Sequence, residues 1–328
     1  MLILSRADVQ ELLDLDDLVD AVAEAMADLS AGSVSVPPRV AAFVDDVGGL
    51  LAAMPAYLPS KGALETKLVS LFPGNAGSAL PTHQAVIVTF DPENGTPSSL
   101  MDATYITEVR TAAGSALSTR LLARPEAQVL AVIGTGVQAR AHARAVPRVR
   151  PIREMRVAGR DPAKARAFAW ELAGELDIEI LAVDSPLDAM EGADVVCACT
   201  HAVDPVVHRQ RVAPGMHVTS VGLNRDGREV DGETVRDSLV VVESRQAVLA
   251  PFPAGANDLT WPIRDGLITE DHIHAELGEL VAGTRPGRTT PEQITLYKSV
   301  GVGAQDAAAA ALVLQAARDQ GAGVEVEL

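Results

Sequence analysis

Three cations stand in company that solvated charges usually avoid. Arg39 follows Pro37 and Pro38, Lys67 lies inside the strand-like run Leu64 to Val69, and Arg110 opens the small-residue stretch Thr111, Ala112, Ala113, Gly114. A guanidinium binds a carboxylate bidentately, and a lysine ammonium can hold a carboxylate or polarise a C=N bond. Any one of them alone reads as a surface charge; the three together suit a small substrate bearing a carboxylate. A second group is Gly134, Thr135, Gly136, Val137, Gln138, Ala139, a G-x-G-x-x-A turn directly after the strand-like run Gln128 to Ile133. Gly134 permits a tight turn, Gly136 lets backbone approach a pyrophosphate, and the small Ala139 lets helix and strand pack closely. A strand before the turn and a helix after it are the context that dinucleotide binding requires.

The end of the next strand chooses between dinucleotides. An acid there usually takes the ribose hydroxyls of NAD. Here the chain runs Ala158, Gly159, Arg160, Asp161, Pro162, Ala163, Lys164, so Gly159 falls where the acid would stand. Arg160 can cover a 2′-phosphate with help from Lys164, which points to NADPH, with NADH as the alternative. Two plain surface cations, or Asp161 as an acid displaced by two positions, are the competing readings. His83 is a candidate proton donor or a structural histidine. His272 and His274 are badly spaced for one helix face, and without a Cys/His cluster no metal site is expected. Asp258 reads as a helix cap before it reads as a substrate contact.

These residues need elements to position them. Leu12 to Leu29 has helical periodicity, and strand-like pieces follow at 40–43, 49–53, 64–69 and 84–90, with a turn at Asp91 to Gly95. From about residue 119 buried strands alternate with helices: 128–134, 155–159, 178–183, 194–200, 217–221 and 239–242, with a helix at 162–176 and an Ala-rich helix at 306–319. The expected fold class is α/β: a Rossmann-type doubly wound parallel sheet plus an α+β substrate and dimerisation domain. The expected division is 1–118 with 304–328 for the second of these and 119–303 for the dinucleotide domain.

The 328 residues are 48% hydrophobic, enough for a core without disulfides, and only 3% aromatic, which leaves little for stacking nucleic-acid bases. Twenty-seven basic against 44 acidic residues give a net charge of −17, a field that repels phosphate backbones. Nucleic acid is therefore not an expected partner. Cys197 and Cys199 are expected to alternate across a strand and to be reduced core residues. No signal peptide is visible at the N-terminus and the longest apolar stretch, Ala307 to Leu314, is far short of a membrane span, so a cytoplasmic protein without a membrane partner is expected.

An ordered series of motifs along nearly the whole chain resembles the ornithine cyclodeaminase/mu-crystallin family. It comprises Pro38-Arg39, Met54-Pro55-Ala56, Lys67 followed by Phe72-Pro73-Gly74-Asn75, Leu80-Pro81-Thr82-His83, Thr107 to Ala113, the glycine turn, Pro214 to His217, Ala275 to Glu279, Pro286 to Arg288 and Lys298 to Gly301. The resemblance implies a two-domain homodimer. It implies that Arg39, Lys67 and Arg110, with Met54, surround a substrate carboxylate, and that Thr82 lies near a nicotinamide. It further implies cofactor contacts from Thr111, Gly134, Thr135, Gly136, Val137, Gln138, Thr200, Gly222 and Asn224. Members that cyclise ornithine carry an Asp shortly after the Val-Gly near residue 221, and here Asn224 takes that place. An amide cannot serve as a general base. Lys67, Arg110 and Asn224 are thus the expected catalytic set of an NAD(P)H-dependent reductase of small α-imino acids, of the ketimine reductase or amino-acid dehydrogenase type. A redox-neutral cyclodeaminase with bound NAD and a non-catalytic NADPH- or ligand-binding protein are the alternatives.

Overall fold

The structure, a computed structural model, describes residues 1–327. It divides into two compact units, Met1–Arg110 with the segment from Gly301 onward, and Thr111–Val300. The first boundary cuts the helix Thr104–Leu122. Arg110 bonds to residues of the first unit, whereas Ser115 and Ser118 bond to His142 and His217 of the second. The units therefore part at 110/111 and 300/301, ahead of the 118/119 and 303/304 read from the sequence.

The first unit is built on a seven-stranded mixed sheet in the order Val324–Glu325, Leu2–Leu4, Pro97–Asp102, His83–Phe90, Ala63–Leu71, Gly49–Leu58, Val40–Val44. Burial alternates along Gly49–Leu58: Leu50, Ala52, Met54, Ala56 and Leu58 point inward, and Leu51 and Pro55 outward, the period of a strand with one face covered. The helix Gly303–Gln320 lies on that inner face over Gly49–Leu58 and Ala63–Leu71 and packs on the helix Leu15–Ser30. Gly303 lets it approach: a Cβ there would stand 3.1 Å from the Ala56 Cβ. The N-terminal helical pattern is two helices, Arg6–Leu12 and Leu15–Ser30, rather than one. Asp14 separates them, its carboxylate accepting from the Asp16 and Asp17 amides as an N-cap.

The second unit is a doubly wound sheet of eight parallel strands, ordered Ile273–Glu276, Leu239–Val242, Thr295–Lys298, His217–Ser220, Val195–Ala198, Val129–Ile133, Glu154–Ala158, Glu179–Ala182. The chain runs outward from Val129–Ile133 in one direction and then returns beside it with Val195–Ala198. That reversal is where such sheets open a ligand crevice. Cys197 and Cys199 are free thiols in one core cluster. They do not alternate, since residues two apart on an extended chain share a face. Burial pushes the Cys197 thiol up to about 12. Among the described residues no helix is long and apolar enough to cross a membrane, and no three metal-ligating side chains gather.

Candidate active site

In the first unit the strand Ala63–Leu71 carries Lys67 on its covered face, opposite Met54 in the neighbouring strand. The helix Thr104–Leu122 supplies Arg110, and the start of the helix Gly303–Gln320 supplies Asp306. Lys67 Nζ lies 2.7 Å from Asp306 Oδ2, and Arg110 Nε donates to Asp306 Oδ1 at 2.9 Å. Arg110 Nη1 donates to Gln305 Oε1 at 3.0 Å, and Arg39 donates to the Gly301 carbonyl. Gly301, at φ +73°, is required here: a Cβ would stand 2.7 Å from Arg110 Nη1 and Nη2. Lys67, Arg110 and Asp306 thus form one buried cluster, with Lys67 at 1% and Asp306 at 0% exposure, and the half-buried Arg39 stands beside it on the Gly301 carbonyl. Burial opposes ionisation of Asp306, but Arg110 and Lys67 outweigh it and hold the carboxyl below its ordinary value. Burial likewise lowers the Lys67 ammonium to about 8, with Asp306 pulling it back up. Desolvated cations in surplus over one carboxylate are equipped to take a second carboxylate from a ligand.

Glu65, two residues before Lys67, is 2% exposed, and neither of its carboxyl oxygens has a hydrogen-bond partner among the described residues. Burial, reinforced by Asp306 and opposed by Lys67, holds it well above the usual carboxylate range. Thr82 precedes the strand His83–Phe90; its carbonyl accepts from the Phe72 amide at 2.9 Å and its hydroxyl lies 3.4 Å from His83 Nδ1.

In the second unit the glycine turn fits a dinucleotide. Gly134 has φ +120°, and a Cβ on it would lie 2.5 Å from the Cys199 carbonyl oxygen. Gly136 precedes the helix Val137–Ala145; a Cβ on it would meet nothing within 4 Å, and among the described residues no side chain caps that helix. A helix start of this kind is where a phosphate would be held. Val137 is exposed at the helix start, and the Gln138 carbonyl is bonded to the buried His142 ring. Thr111 is buried on the helix Thr104–Leu122, next to Arg110. At the adenosine end, a Cβ on Gly159 would stand 2.8 Å from Thr135 Cγ2, so a side chain at this position would have to displace Thr135. Asp161 caps the helix Pro162–Ala173, its Oδ1 accepting from the Ala163 and Lys164 amides. Arg160 and Lys164 are exposed beside it.

The loops after Val195–Ala198 and His217–Ser220 hold Thr200, Gly222 and Asn224. Asn224 spends its side chain within these loops: Nδ2 donates to the His201 and Ala202 carbonyls at 3.1 Å each, and Oδ1 accepts from the Asp226 amide at 2.9 Å. Asp258 is not a cap. It sits inside the helix Asn257–Arg264, accepts from the Glu229 and Val230 amides, and pairs with Lys298 at 2.9 Å. His272 and His274 each donate from Nε2 to a backbone carbonyl, that of Val235 and that of Pro286 respectively. Sequence reasoning did not single out Asp306, Gln305, Glu65 or Glu229, and named Lys298 only as part of the Lys298–Gly301 motif. Asp306 carried no distinguishing signal, since an acid in the first turn of a helix is ordinary.

A doubly wound parallel sheet with an open G-x-G-x-x-A turn at its reversal point defines a Rossmann-type dinucleotide-binding protein. The chain belongs to the ornithine cyclodeaminase/mu-crystallin family, whose model matches residues 1–321. It is similar to the ketimine reductase mu-crystallin of Mus musculus, at 36% identity over 315 residues, covering 94% of this chain and 95% of that protein. Among solved structures it resembles Thermococcus litoralis Delta(1)-pyrroline-2-carboxylate reductase in complex with NADH and L-proline. That likeness has 41% identity and a TM-score of 0.96, over 99% of this chain and 100% of that one. It also resembles an archaeal alanine dehydrogenase dimer with bound NAD, at 30% identity and a TM-score of 0.93, over 100% of this chain and 99% of the other.

Proposed function

We propose that this protein is a nicotinamide-dependent reductase of small α-imino acids, cyclic ketimine carboxylates foremost, and that it prefers NADPH and works as a homodimer. The observation that carries the reading is the buried Lys67 and Arg110 on Asp306, with the half-buried Arg39 beside them on Gly301. Two guanidinium groups and an ammonium hold the substrate carboxylate and fix the adjacent C=N carbon, and orientation of this kind supplies much of a reductase's acceleration. When bound, the cofactor supplies the hydride that reduces that carbon. Lys67 Nζ, at about 8, keeps its proton at neutral pH and can give it up. Glycine at 134 and 136 and the helix start would hold the pyrophosphate, with Thr111, Thr135, Val137 and Gln138 as further cofactor contacts, and Thr200, Gly222 and Asn224 would flank the nicotinamide; Thr82 is the candidate cofactor contact of the first unit. Asn224, an amide engaged with two carbonyls, offers no general base, which favours reduction over ammonia elimination. Glycine at 159 in place of an acid, with Arg160 and Lys164 exposed beside it, favours NADPH.

The test is a rate screen of NADPH and NADH oxidation with pyrroline-2-carboxylate, piperideine-2-carboxylate, and pyruvate or glyoxylate plus amines, run beside ammonia and proline detection from ornithine. The expected outcome is NADPH consumption with at least one cyclic imino acid. Arg110→Ala should lose about 2–5 kcal/mol in kcat/KM, the usual cost of removing a buried charge-paired anchor, with cofactor affinity kept. Arg160→Ala should weaken NADPH roughly 10- to 100-fold and leave NADH unchanged. Redox-neutral ammonia release from ornithine, with no imine turnover, overturns the reductase reading.

A further inference from the structure

One carboxylate outside the substrate cluster gathers the strand ends where the second half of a dinucleotide would lie. Glu229 Oε1 accepts from the Thr200 amide at 2.5 Å and the Thr200 hydroxyl at 2.8 Å. Its Oε2 accepts from Ser220 Oγ and from the Gly222 amide, both at 2.7 Å. All four donors are neutral, and Glu229 is buried. The packing around it is close: a Cβ on Gly222 would stand 2.4 Å from Glu229 Cδ and 2.4 Å from the Thr200 carbonyl oxygen. The preceding residue, Cys199, is the one whose carbonyl touches Gly134 of the glycine turn.

Glu229 is itself held. Asp258 Oδ1 accepts from its amide at 2.8 Å, and Asp258 Oδ2 pairs with Lys298 Nζ at 2.9 Å. Lys298 Nζ in turn donates to Ser220 Oγ at 2.9 Å and to the Gly222 carbonyl at 2.6 Å. Glu229, Gly222, Lys298 and Asp258 so form a closed circuit, and satisfied buried networks of this kind make loops rigid. In the doubly wound sheet, the glycine turn and the strands Val129–Ile133, Glu154–Ala158 and Glu179–Ala182 form the half that takes the adenosine end. Val195–Ala198 and His217–Ser220 begin the other half. Thr200 and Gly222 lie just past the carboxyl ends of those two strands.

We propose that Glu229 is a positioning residue for the nicotinamide half of the cofactor, acting through Thr200 and Gly222 without touching the cofactor; this rests on the dinucleotide reading above. Glu229→Gln keeps the shape but turns an amide NH2 toward donors on one side, so that Thr200 or the Ser220–Gly222 pair loses its acceptor.

The experiment titrates wild type and Glu229→Gln with NADPH and with 2′,5′-ADP, which carries only the adenosine half (NADH and ADP if the wild type prefers NADH). The expected result is that the variant binds NADPH about tenfold or more weakly, binds 2′,5′-ADP within twofold of wild type, and shows a larger kinetic isotope effect with 4-deuterated NADPH. Equal loss for both ligands means a general structural role and overturns the proposal, as does no loss for either. If Glu229→Gln does not fold, Ser220→Ala, which removes one of the four donors, is read by the same ratio, with about two- to fivefold expected for NADPH alone. A wild type that binds neither ligand overturns the cofactor reading itself, a result distinct from both of these.

Discussion

Burial draws the Lys67 ammonium down to about 8, and Asp306 at 2.7 Å keeps it from falling further. The charged form therefore dominates below that pH and is lost as pH rises through it. A ligand carboxylate held partly by Lys67 should follow the same curve. L-proline titrated calorimetrically should bind about tenfold more weakly at pH 10 than at pH 7, since a charge-assisted hydrogen bond contributes about 1.5–3 kcal/mol. Lys67→Arg should flatten that dependence, and a flat wild-type curve would remove Lys67 from the carboxylate site. Glu65, on the same strand, works against folding. A carboxyl whose folded pKa is raised binds protons more readily folded than unfolded, so its destabilisation sets in as pH rises above its ordinary value near 4.5. At pH 7 it carries an unpartnered, desolvated acid. Glu65→Met, similar in volume and apolar, should raise stability by about 1–3 kcal/mol at neutral pH and less at pH 4.5, read from denaturant melts at both pH values.

Elements differ in how openly the sequence announced them, and the reason lies in which side chains they carry. Val129–Ile133, Val195–Ala198 and Leu239–Val242 are buried on both faces and read as continuous apolar runs. Ile273–Glu276 and Thr295–Lys298 are strands of the same sheet, yet they carry His274, Glu276 and Lys298. Those groups are satisfied by distant partners, Glu276 by the Arg245 amide and Lys298 by Asp258, which no local window contains. The cation trio was visible by residue type and the glycine turn by spacing. Asp306 was not, because an acid in a helix's first turn has a sufficient local explanation in the helix dipole. Asn224 shows the same limit from the other side. Its sequence position suggested a replaced base, whereas its side chain ties the loop after His217–Ser220 to the His201 and Ala202 carbonyls. Asn224→Asp would set a carboxylate against two carbonyl oxygens and remove both donors. It should cost about 1–3 kcal/mol, a few degrees in Tm, and produce no proline from ornithine. Ammonia release by this variant would show the loop to be adaptable and the site one substitution from a cyclodeaminase.

At the scale of the molecule, a net charge of −17 pushes copies apart, so association needs an apolar surface strong enough to oppose it. The first unit carries exposed apolar groups on one face. Val40 and Val44 on the edge strand, Leu51 on the next and Val86 farther across all lie exposed on the uncovered face of the seven-stranded sheet, with Phe43 and Val47 exposed at its rim. Contiguous exposed apolar groups on a sheet face and edge are uncommon in monomers and invite a second sheet. A second copy of the same face, related by a twofold axis, would bury them symmetrically. Since long-range repulsion between like-charged copies is screened by salt while apolar burial is not, the dimer should tighten as ionic strength rises. Sedimentation velocity should give a mass of two chains at 0.15 M salt and a larger monomer fraction at 0.01 M. Leu51→Glu with Val44→Glu should yield monomers at micromolar concentration, with the melting curve showing a folded chain. A double variant that still sediments as two chains would place the dimer contact on some other surface.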